Sequence, residues 1–261
     1  MSIENPWLLG IAFHTGLIAI ALFLPKKLLT PAGYGNAWIL GVILWGGLGW
    51  QAYVITLFYL FAGSAVTKVG LAEKEALGIA EARGGIRGPG NVWGSALTGA
   101  VCSLSVIVLR LLGPSSALAD DTSGSAPTLL ALLALGFVAS LSTKLSDTTA
   151  TEIGKAYGQR TFLITTLKPV PRGTEGAVSL EGTLAGVVGS IALSLVAWVV
   201  GLIPLSGIAV CAIAAFVATT IESLIGATIE EKLAWLTHDL VNIINTTVGA
   251  IVAICLGLVL S

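Results

Sequence analysis

The sequence predicts an all-α fold, a polytopic bundle of seven or eight hydrophobic helices that is integral to a membrane. Of the 261 residues, 55% are hydrophobic and only 10% are charged, whereas soluble domains carry roughly 25% charged residues. The mean hydropathy is +0.94. The apolar residues also lie in runs that approach the roughly 20 residues of a membrane-spanning helix. A water-facing shell cannot be built from this composition.

The first apolar run, from Trp7 to Leu24, is predicted to be a retained span and not a cleaved export signal. No basic residue precedes it, and it continues into Pro25-Lys26-Lys27 without a small-residue cleavage site. Further apolar runs follow at about Ala37–Ala62, Val92–Leu112, Thr128–Leu141, Leu184–Ile203, Ile208–Ile225 and Leu240–Leu260. The Ala37–Ala62 run is either one long tilted helix or two short helices that turn near Gly46–Gly49.

The distribution of charge between the runs favours two helices there. Basic residues occur in three polar segments, at Lys26 and Lys27, at Lys68, Lys74, Arg83 and Arg87, and at Lys144, Lys155, Arg160, Lys168 and Arg172. The segment from Pro114 to Pro127 instead carries Asp120 and Asp121. All three basic segments can be cytoplasmic, as the positive-inside rule prefers, only if the chain crosses twice between Lys27 and Lys68. We therefore predict eight spans rather than seven, with both termini outside. They form one transmembrane domain over 1–261, with cytoplasmic polar loops at about 63–91 and 142–181.

Several classes of function find no support in the sequence. The 13 basic and 14 acidic residues give a net charge of −1, and phosphate-backbone binding needs a clear basic excess, so no nucleic-acid partner is expected. The three cysteines lie singly in apolar runs, without a pair that would hold a metal or form a disulfide. The motifs of P-loop, dinucleotide-binding and zinc-protease sites are absent.

The polar loop at 63–91 ends in a glycine-rich stretch, Gly84 to Asn91. With Arg83 and Arg87 it offers mobile backbone N–H groups and two guanidinium groups, which suit phosphate oxygens. Lys68 and Asn91 are further candidates for nucleotide or substrate binding in this segment. The alternative is a flexible connection whose charges only follow the positive-inside rule.

The loop at 142–181 places Asp147 and Glu152 near a membrane boundary. If this stretch is helical, Asp147 and Thr151 share a face, whereas Glu152 lies roughly 140° away. A single aspartate would suffice for Mg²⁺, which takes its other ligands from water and substrate phosphates. The alternative is a surface ion pair between Asp147 and Lys144.

Small residues at four-residue spacing, Ala150, Gly154 and Gly158, form a smooth face for close approach of a helix or ligand. Downstream, Lys168 and Arg172 flank a proline-stiffened turn that is suited to a phosphate tail or, equally, to a basic loop.

Two polar features lie inside apolar runs, where polarity is costly. Glu222 is a membrane-embedded carboxylate and hence a candidate for function, with a structural partner on another helix as the alternative. In the last run, a polar stripe includes Asn242 and Asn245. It is expected to face protein, water or a polar ligand, and hydrogen bonding between helices is the competing explanation.

Taken together, these motifs resemble one integral membrane family. They are GSAVTK from Gly63, GGIRGPGNV from Gly84, SDTTATEIGKAYG from Ser146, TTLKPVPRGTEGAVSLEGTLAG from Thr165, and the Asn242–Thr246 stripe. The family includes transmembrane protein nineteen of animals and the phytyl-phosphate kinase of plants and cyanobacteria. The order of the Asp147 and Lys168 elements is more distantly similar to dolichol kinase and membrane cytidylyltransferases.

The resemblance implies a membrane kinase that transfers a phosphate from a nucleoside triphosphate, by analogy CTP, to phytyl or another prenyl monophosphate. The diphosphate product would serve tocopherol- or quinone-type synthesis. Mg²⁺ would be the cofactor, and the active face would be cytoplasmic, in the plasma or thylakoid membrane of a cyanobacterium. A homodimer is an open alternative for the oligomeric state.

The residues implied in this site fall into three groups. The catalytic candidates are Asp147, Lys168 and Arg172, and the metal candidates are Asp147, Glu152 and Glu222. The nucleotide- or substrate-binding candidates are Lys68, Arg83, Arg87, Asn91, Lys144, Thr151, Asn242 and Asn245. Two other functions stay open: a CTP-dependent lipid cytidylyltransferase, and a small-solute transporter whose path Glu222 and Asn242 would line.

Overall fold

The computed structural model describes residues 5–23, 27–81, 85–112, 128–229, 233 and 235–260. Its helices are α1 Pro6–Phe23, α2 Pro31–Thr67, α3 Leu71–Ala76, α4 Pro89–Leu112, α5 Leu129–Tyr157, α6 Leu180–Val199, α7 Ser206–Thr228 and α8 His238–Val259. Two short strands, β1 Thr161–Leu163 and β2 Ala177–Ser179, pair antiparallel, with Phe162 opposite Val178. The nearly all-helical fold is thus confirmed, and this hairpin is the departure from a purely α architecture.

The structure shortens both predicted loops, because long helices extend into them. Residues 63–67 belong to α2 and 89–91 to α4, so the first loop covers about 68–88 and includes α3. Residues 142–157 are the last turns of α5, which leaves 158–179 for the second loop and its two strands.

Four of the long helices begin at a hydroxyl cap that the sequence provides. The side chains of Thr30, Thr128, Ser179 and Thr237 accept hydrogen bonds from the backbone N–H three residues on, at 3.1 to 3.4 Å. Such caps satisfy N–H groups that the helix itself leaves unpaired, which matters most near hydrocarbon.

Helix α5 is the centre of the bundle. It packs against α2, α4, α6, α7 and α8. Within its most apolar stretch of 18 residues, 78% of the residues are buried, compared with 28–39% in the corresponding stretches of the other long helices. The tightest neighbour is α6, whose glycines let the two backbones approach. A Cβ at Gly182 would lie 2.6 Å from the Ala150 carbonyl oxygen, and one at Gly186 would lie 3.0 Å from Ser146 Oγ. The predicted small-residue face therefore receives a helix.

Helix α2 folds back on itself at Gly49. This residue has φ +76° and ψ −168°, which are not helical values. Both halves of α2 contact Arg87. A Cβ at Gly33 would lie 2.8 Å from the Arg87 carbonyl oxygen, and a Cβ at Gly63 would lie 2.7 Å from Nη2 of the same arginine. A straight helix would separate Gly33 from Gly63 by about 45 Å. The ambiguous run is therefore two antiparallel helical segments, 31–48 and 50–67.

The polar segments gather at one end of the bundle and the described chain ends at the other. Trp7 packs on Gly46, beside the Gly49 turn, and Gly257 packs on Leu132 near the start of α5. By length and composition, six of the described helices could cross a membrane, with α2 counted once, and α1 is a shorter apolar helix.

A buried ion pair attaches α3 to α5. Lys74 Nζ donates to Glu152 Oε2 and, at 2.8 Å, to the Thr67 carbonyl oxygen. The Lys74 side chain is fully buried and that of Glu152 is 5% exposed. On the outer side, Arg172 Nη1 donates to Glu73 Oε1 at 3.0 Å. The carboxylate of Glu152, a candidate metal ligand, is therefore neutralised by a lysine.

Gly49→Ala is expected to lower the free energy of unfolding by about 1–2 kcal/mol, because a side chain disfavours the positive φ of this turn. Gly35→Ala is the matched control, since Gly35 is also in α2 and a Cβ there meets no atom within 4 Å. Thermal unfolding in one detergent compares the two variants. Equal unfolding midpoints would contradict the fold-back at Gly49.

Lys74→Met and Glu152→Gln are each expected to lower the free energy of unfolding by about 3–5 kcal/mol, because each leaves one buried charge unpaired. The double variant should lose less than the sum of the two, which a double-mutant cycle of thermal unfolding measures. Unchanged stability of the Glu152→Gln protein would contradict the ion pair and would favour Glu152 as a metal ligand.

Candidate active site

A cavity of about 340 Å³ opens at the polar end of α5. Its walls come from α2, α4, α5, α7 and α8, from the loop before α4 and from the loop before β2. The described polar residues that line it include Tyr59, Arg87, Asn91, Ser95, Lys144, Asp147, Thr151, Glu152, Lys155, Thr174, Glu222, Ser223, His238, Asp239 and Asn242. Segments far apart in the sequence, which carry the motifs singled out above, thus meet around one space.

The ammonium group of Lys144 links two walls of the cavity. Its Nζ donates to Asp147 Oδ2 at 2.5 Å, one turn along α5, and to Asn242 Oδ1 at 2.6 Å on α8. The Lys144 side chain is 11% exposed and that of Asp147 is 17% exposed. Glu222 on α7 and Tyr59 on α2 also interact electrostatically with this lysine. The Lys144–Asp147 ion pair, the alternative to a metal site at Asp147, is therefore present.

The two carboxylate oxygens of Asp147 differ in their hydrogen bonding, and Oδ1 is the more weakly bonded of the two. Among the residues that the structure describes, its Oδ1 accepts one long contact of 3.5 Å, from the Thr151 hydroxyl, which lies on the same helix face as the helical period predicts. Within the described residues, no group of three or more His, Cys, Asp or Glu side chains is placed to hold a metal ion. Mg²⁺ commonly takes one or two protein carboxylates. Asp147 therefore fits Mg²⁺ that is shared with substrate phosphates, whereas the described side chains do not form an all-protein cage.

The two polar features inside the apolar helices bond to each other. Asn245 Nδ2 donates to Glu222 Oε2, which joins α8 to α7. Asn245 is 2% exposed, so this bond is shielded from solvent. Bonding between helices, the competing explanation for both residues, is thus what the structure shows, while Glu222 also lines the cavity.

Arg87 reaches the cavity from the loop before α4 and is positioned by Tyr59. Its Nη1 donates to the Tyr59 hydroxyl at 2.5 Å, and its guanidinium carbon lies 4.9 Å from the centre of that ring. The Tyr59 hydroxyl in turn donates to Ser95 Oγ at 2.9 Å. Gly63 leaves the room for this guanidinium that a Cβ would fill. Asn91 accepts from the Gly88 N–H at 3.0 Å and so shapes the start of α4.

Three predicted basic residues do not line the cavity. Lys68 and Lys168 are exposed at the polar end of the bundle. Arg172 is turned towards the end of α5, where its Nη1 donates to the Ala156 carbonyl oxygen at 2.9 Å. The fourth, Arg83, lies outside the described residues.

The segment after Arg172 forms the rim of the cavity. Gly173 has φ +85° and packs on Ile79, whereas Gly176 has φ +71° and lies against the Ser223 carbonyl oxygen of α7. Both positive φ values favour glycine. The rim therefore connects the first loop to α7, and its Thr174 and Glu175 face the cavity.

Sequence analysis missed Lys155, a half-buried cation in the cavity wall. A signal was present, because Asp147, Thr151 and Lys155 follow at four-residue spacing and so share a helix face. Tyr59 and Lys74 had no comparable signal, since their partners are far away in the sequence.

Comparisons with known proteins agree with this membrane architecture. A family model described as "Integral membrane protein DUF92" matches residues 14–250. An uncharacterized membrane protein of Synechocystis sp. is 56% identical over 253 residues, which are 97% of this chain and 92% of that protein. An uncharacterized membrane protein of Methanocaldococcus jannaschii is 29% identical over 240 residues, 91% of this chain and 90% of that protein.

A plant relative matches as well. The protein named "Protein VTE6, chloroplastic" of Arabidopsis thaliana is 44% identical over 228 residues, which are 87% of this chain and 64% of that protein. No solved structure matches the chain. Since the family model covers most of the chain and the Synechocystis relative matches nearly end to end, this chain belongs to the DUF92 family of integral membrane proteins.

Proposed function

We propose that this protein is a membrane kinase that transfers a phosphate from a nucleoside triphosphate, with CTP as the first donor to test, to phytyl or another prenyl monophosphate. One observation carries the proposal. Three cationic side chains, Arg87, Lys144 and Lys155, share a cavity at the polar end of the bundle with the carboxylate of Asp147, whose Oδ2 is paired with Lys144.

The chemistry of phosphoryl transfer suits this arrangement. It needs positioned phosphates and neutralised charge, and little covalent help from the protein. Arg87, fixed by Tyr59, would bind phosphate oxygens in pairs, and Lys155 would add a point charge. Asp147 would hold Mg²⁺, which when bound neutralises charge on the phosphates. The motif resemblance to phytyl-phosphate kinase supports the choice of acceptor.

We further propose eight membrane crossings with the cavity on the cytoplasmic side. The fold-back at Gly49 supplies two segments, and α1 with the five helices after α3 supplies six more. Each half of α2 is near the lower limit of a spanning helix. Nearly all described basic residues lie at the cavity end, with Arg110 beside the Gly49 turn as the exception, as the positive-inside rule prefers.

Asp147→Asn is expected to reduce diphosphate formation about 100-fold or more, because it removes the carboxylate that would hold the metal. The assay uses purified protein, phytyl phosphate, Mg²⁺ and each nucleoside triphosphate in turn. Arg87→Lys should cost about 10- to 100-fold through the lost paired donation, whereas the matched control Arg160→Lys, exposed and outside the cavity, should retain activity.

Three results would change the proposal. No diphosphate with any donor would reject the kinase, and a product that retains CMP would identify a cytidylyltransferase. A loss for Lys168→Met as large as that for Arg87→Lys would restore Lys168 as a phosphate ligand.

Single cysteines in a background without Cys102, Cys211 and Cys255 test the topology. Trp50→Cys, next to the Gly49 turn, and Leu205→Cys, between α6 and α7, should react with an impermeant maleimide on intact cells. Thr166→Cys, exposed in the second loop, should react only after permeabilisation. Trp50→Cys that is protected in intact cells would contradict eight crossings.

A further inference from the structure

The ammonium group of Lys144 neutralises the carboxylate that the proposed metal would use. Its Nζ lies 2.5 Å from Asp147 Oδ2, and both side chains are largely buried. A cation this close repels a second cation, and the partly buried site screens that repulsion poorly. A divalent metal that arrives alone must therefore compete with the ammonium group for Asp147.

The chemistry of a lysine side chain suits an exchange of partners. The charge of Lys144 is on a flexible four-carbon stem with rotatable donors, while its backbone is fixed in the central helix. Both acceptors of the ammonium group, on Asp147 and Asn242, line the cavity. Arg87, by contrast, is held by the hydroxyl group and by the aromatic ring of Tyr59. Among these cavity cations, Lys144 is the one whose present partner is the proposed metal ligand.

We propose that Lys144 is an exchangeable counter-ion, which neutralises Asp147 in the nucleotide-free protein and moves to the phosphates when metal and nucleotide bind together. This inference rests on the proposed function. No covalent bond changes in the exchange. The phosphate oxygens would take over the hydrogen bonds of the ammonium group, and the negative charge of Asp147 would become available to the metal. Metal and nucleotide binding are thereby coupled, and free metal is kept out.

Binding of Mn²⁺ alone, measured by the electron paramagnetic resonance of free Mn²⁺, tests the exchange without any lipid substrate. With the full-length protein in nanodiscs, Lys144→Met should bind Mn²⁺ about tenfold more tightly than the wild type, within the usual range of coupling between sites. Lys144→Arg, which keeps the charge, should bind Mn²⁺ as weakly as the wild type. Lys144→Gln, which is neutral but retains a hydrogen-bond donor, serves if the methionine variant does not fold.

Two outcomes would overturn the exchange. One is a neutral Lys144 variant that binds Mn²⁺ no more tightly than the wild type. The other is a gain in affinity that persists when Asp147→Asn is added. A non-hydrolysable CTP analogue, corrected for its own complex with Mn²⁺, should strengthen Mn²⁺ binding about tenfold in the wild type and much less in Lys144→Met. The kinase assay measures diphosphate formation, whereas these titrations measure Mn²⁺ affinity. Either result can be negative while the other is positive, so the two proposals are tested separately.

Discussion

The rest of the site depends on the neutralisation of one ammonium group near the membrane boundary. A charge there costs several kcal/mol unless it is paired and hydrogen-bonded. Lys144 meets this requirement through Asp147 on its own helix and Asn242 on α8. The neighbouring bond between Asn245 and Glu222 then ties α8 to α7. Because lipid is as apolar as the helix surfaces, such polar contacts and close packing must specify how the helices meet.

Much of the fold follows from local rules that a sequence displays. Apolar runs, Ser and Thr caps and the placement of basic residues predict the helices and their ends. The turn at Gly49 lies in a run that is apolar throughout, so hydrophobicity alone does not predict it. The basic residues before and after the run predict the fold-back, because the positive-inside rule places both groups on the same side. The local pattern could not predict that both halves of α2 contact Arg87, because Arg87 lies in a loop beyond the helix.

The site divides along the same line. Residues on one helix could be placed by periodicity: Asp147 and Thr151 share a face, as predicted, and Glu152, turned from that face, bonds Lys74 at the edge of the cavity. That lysine is 78 residues earlier in the chain, so no spacing indicated the pair. Lys168 and Arg172 lie in a loop, where no period relates sequence position to side-chain direction. There the fold uses Arg172 to bond the carbonyl groups at the end of α5.

The chemical character of the cavity wall has a consequence for selectivity. Among the described residues that line it, Ile86 and Val241 are the large aliphatic ones, and polar side chains predominate. If the protein acts on a prenyl phosphate as proposed, such a wall would contact the phosphate head group, and it offers little apolar surface against which a hydrocarbon chain could pack. A long isoprenoid would have to rest against the outside of the bundle, in the bilayer. Discrimination between tails of different length or saturation would then be a property of the surrounding lipid as much as of the protein.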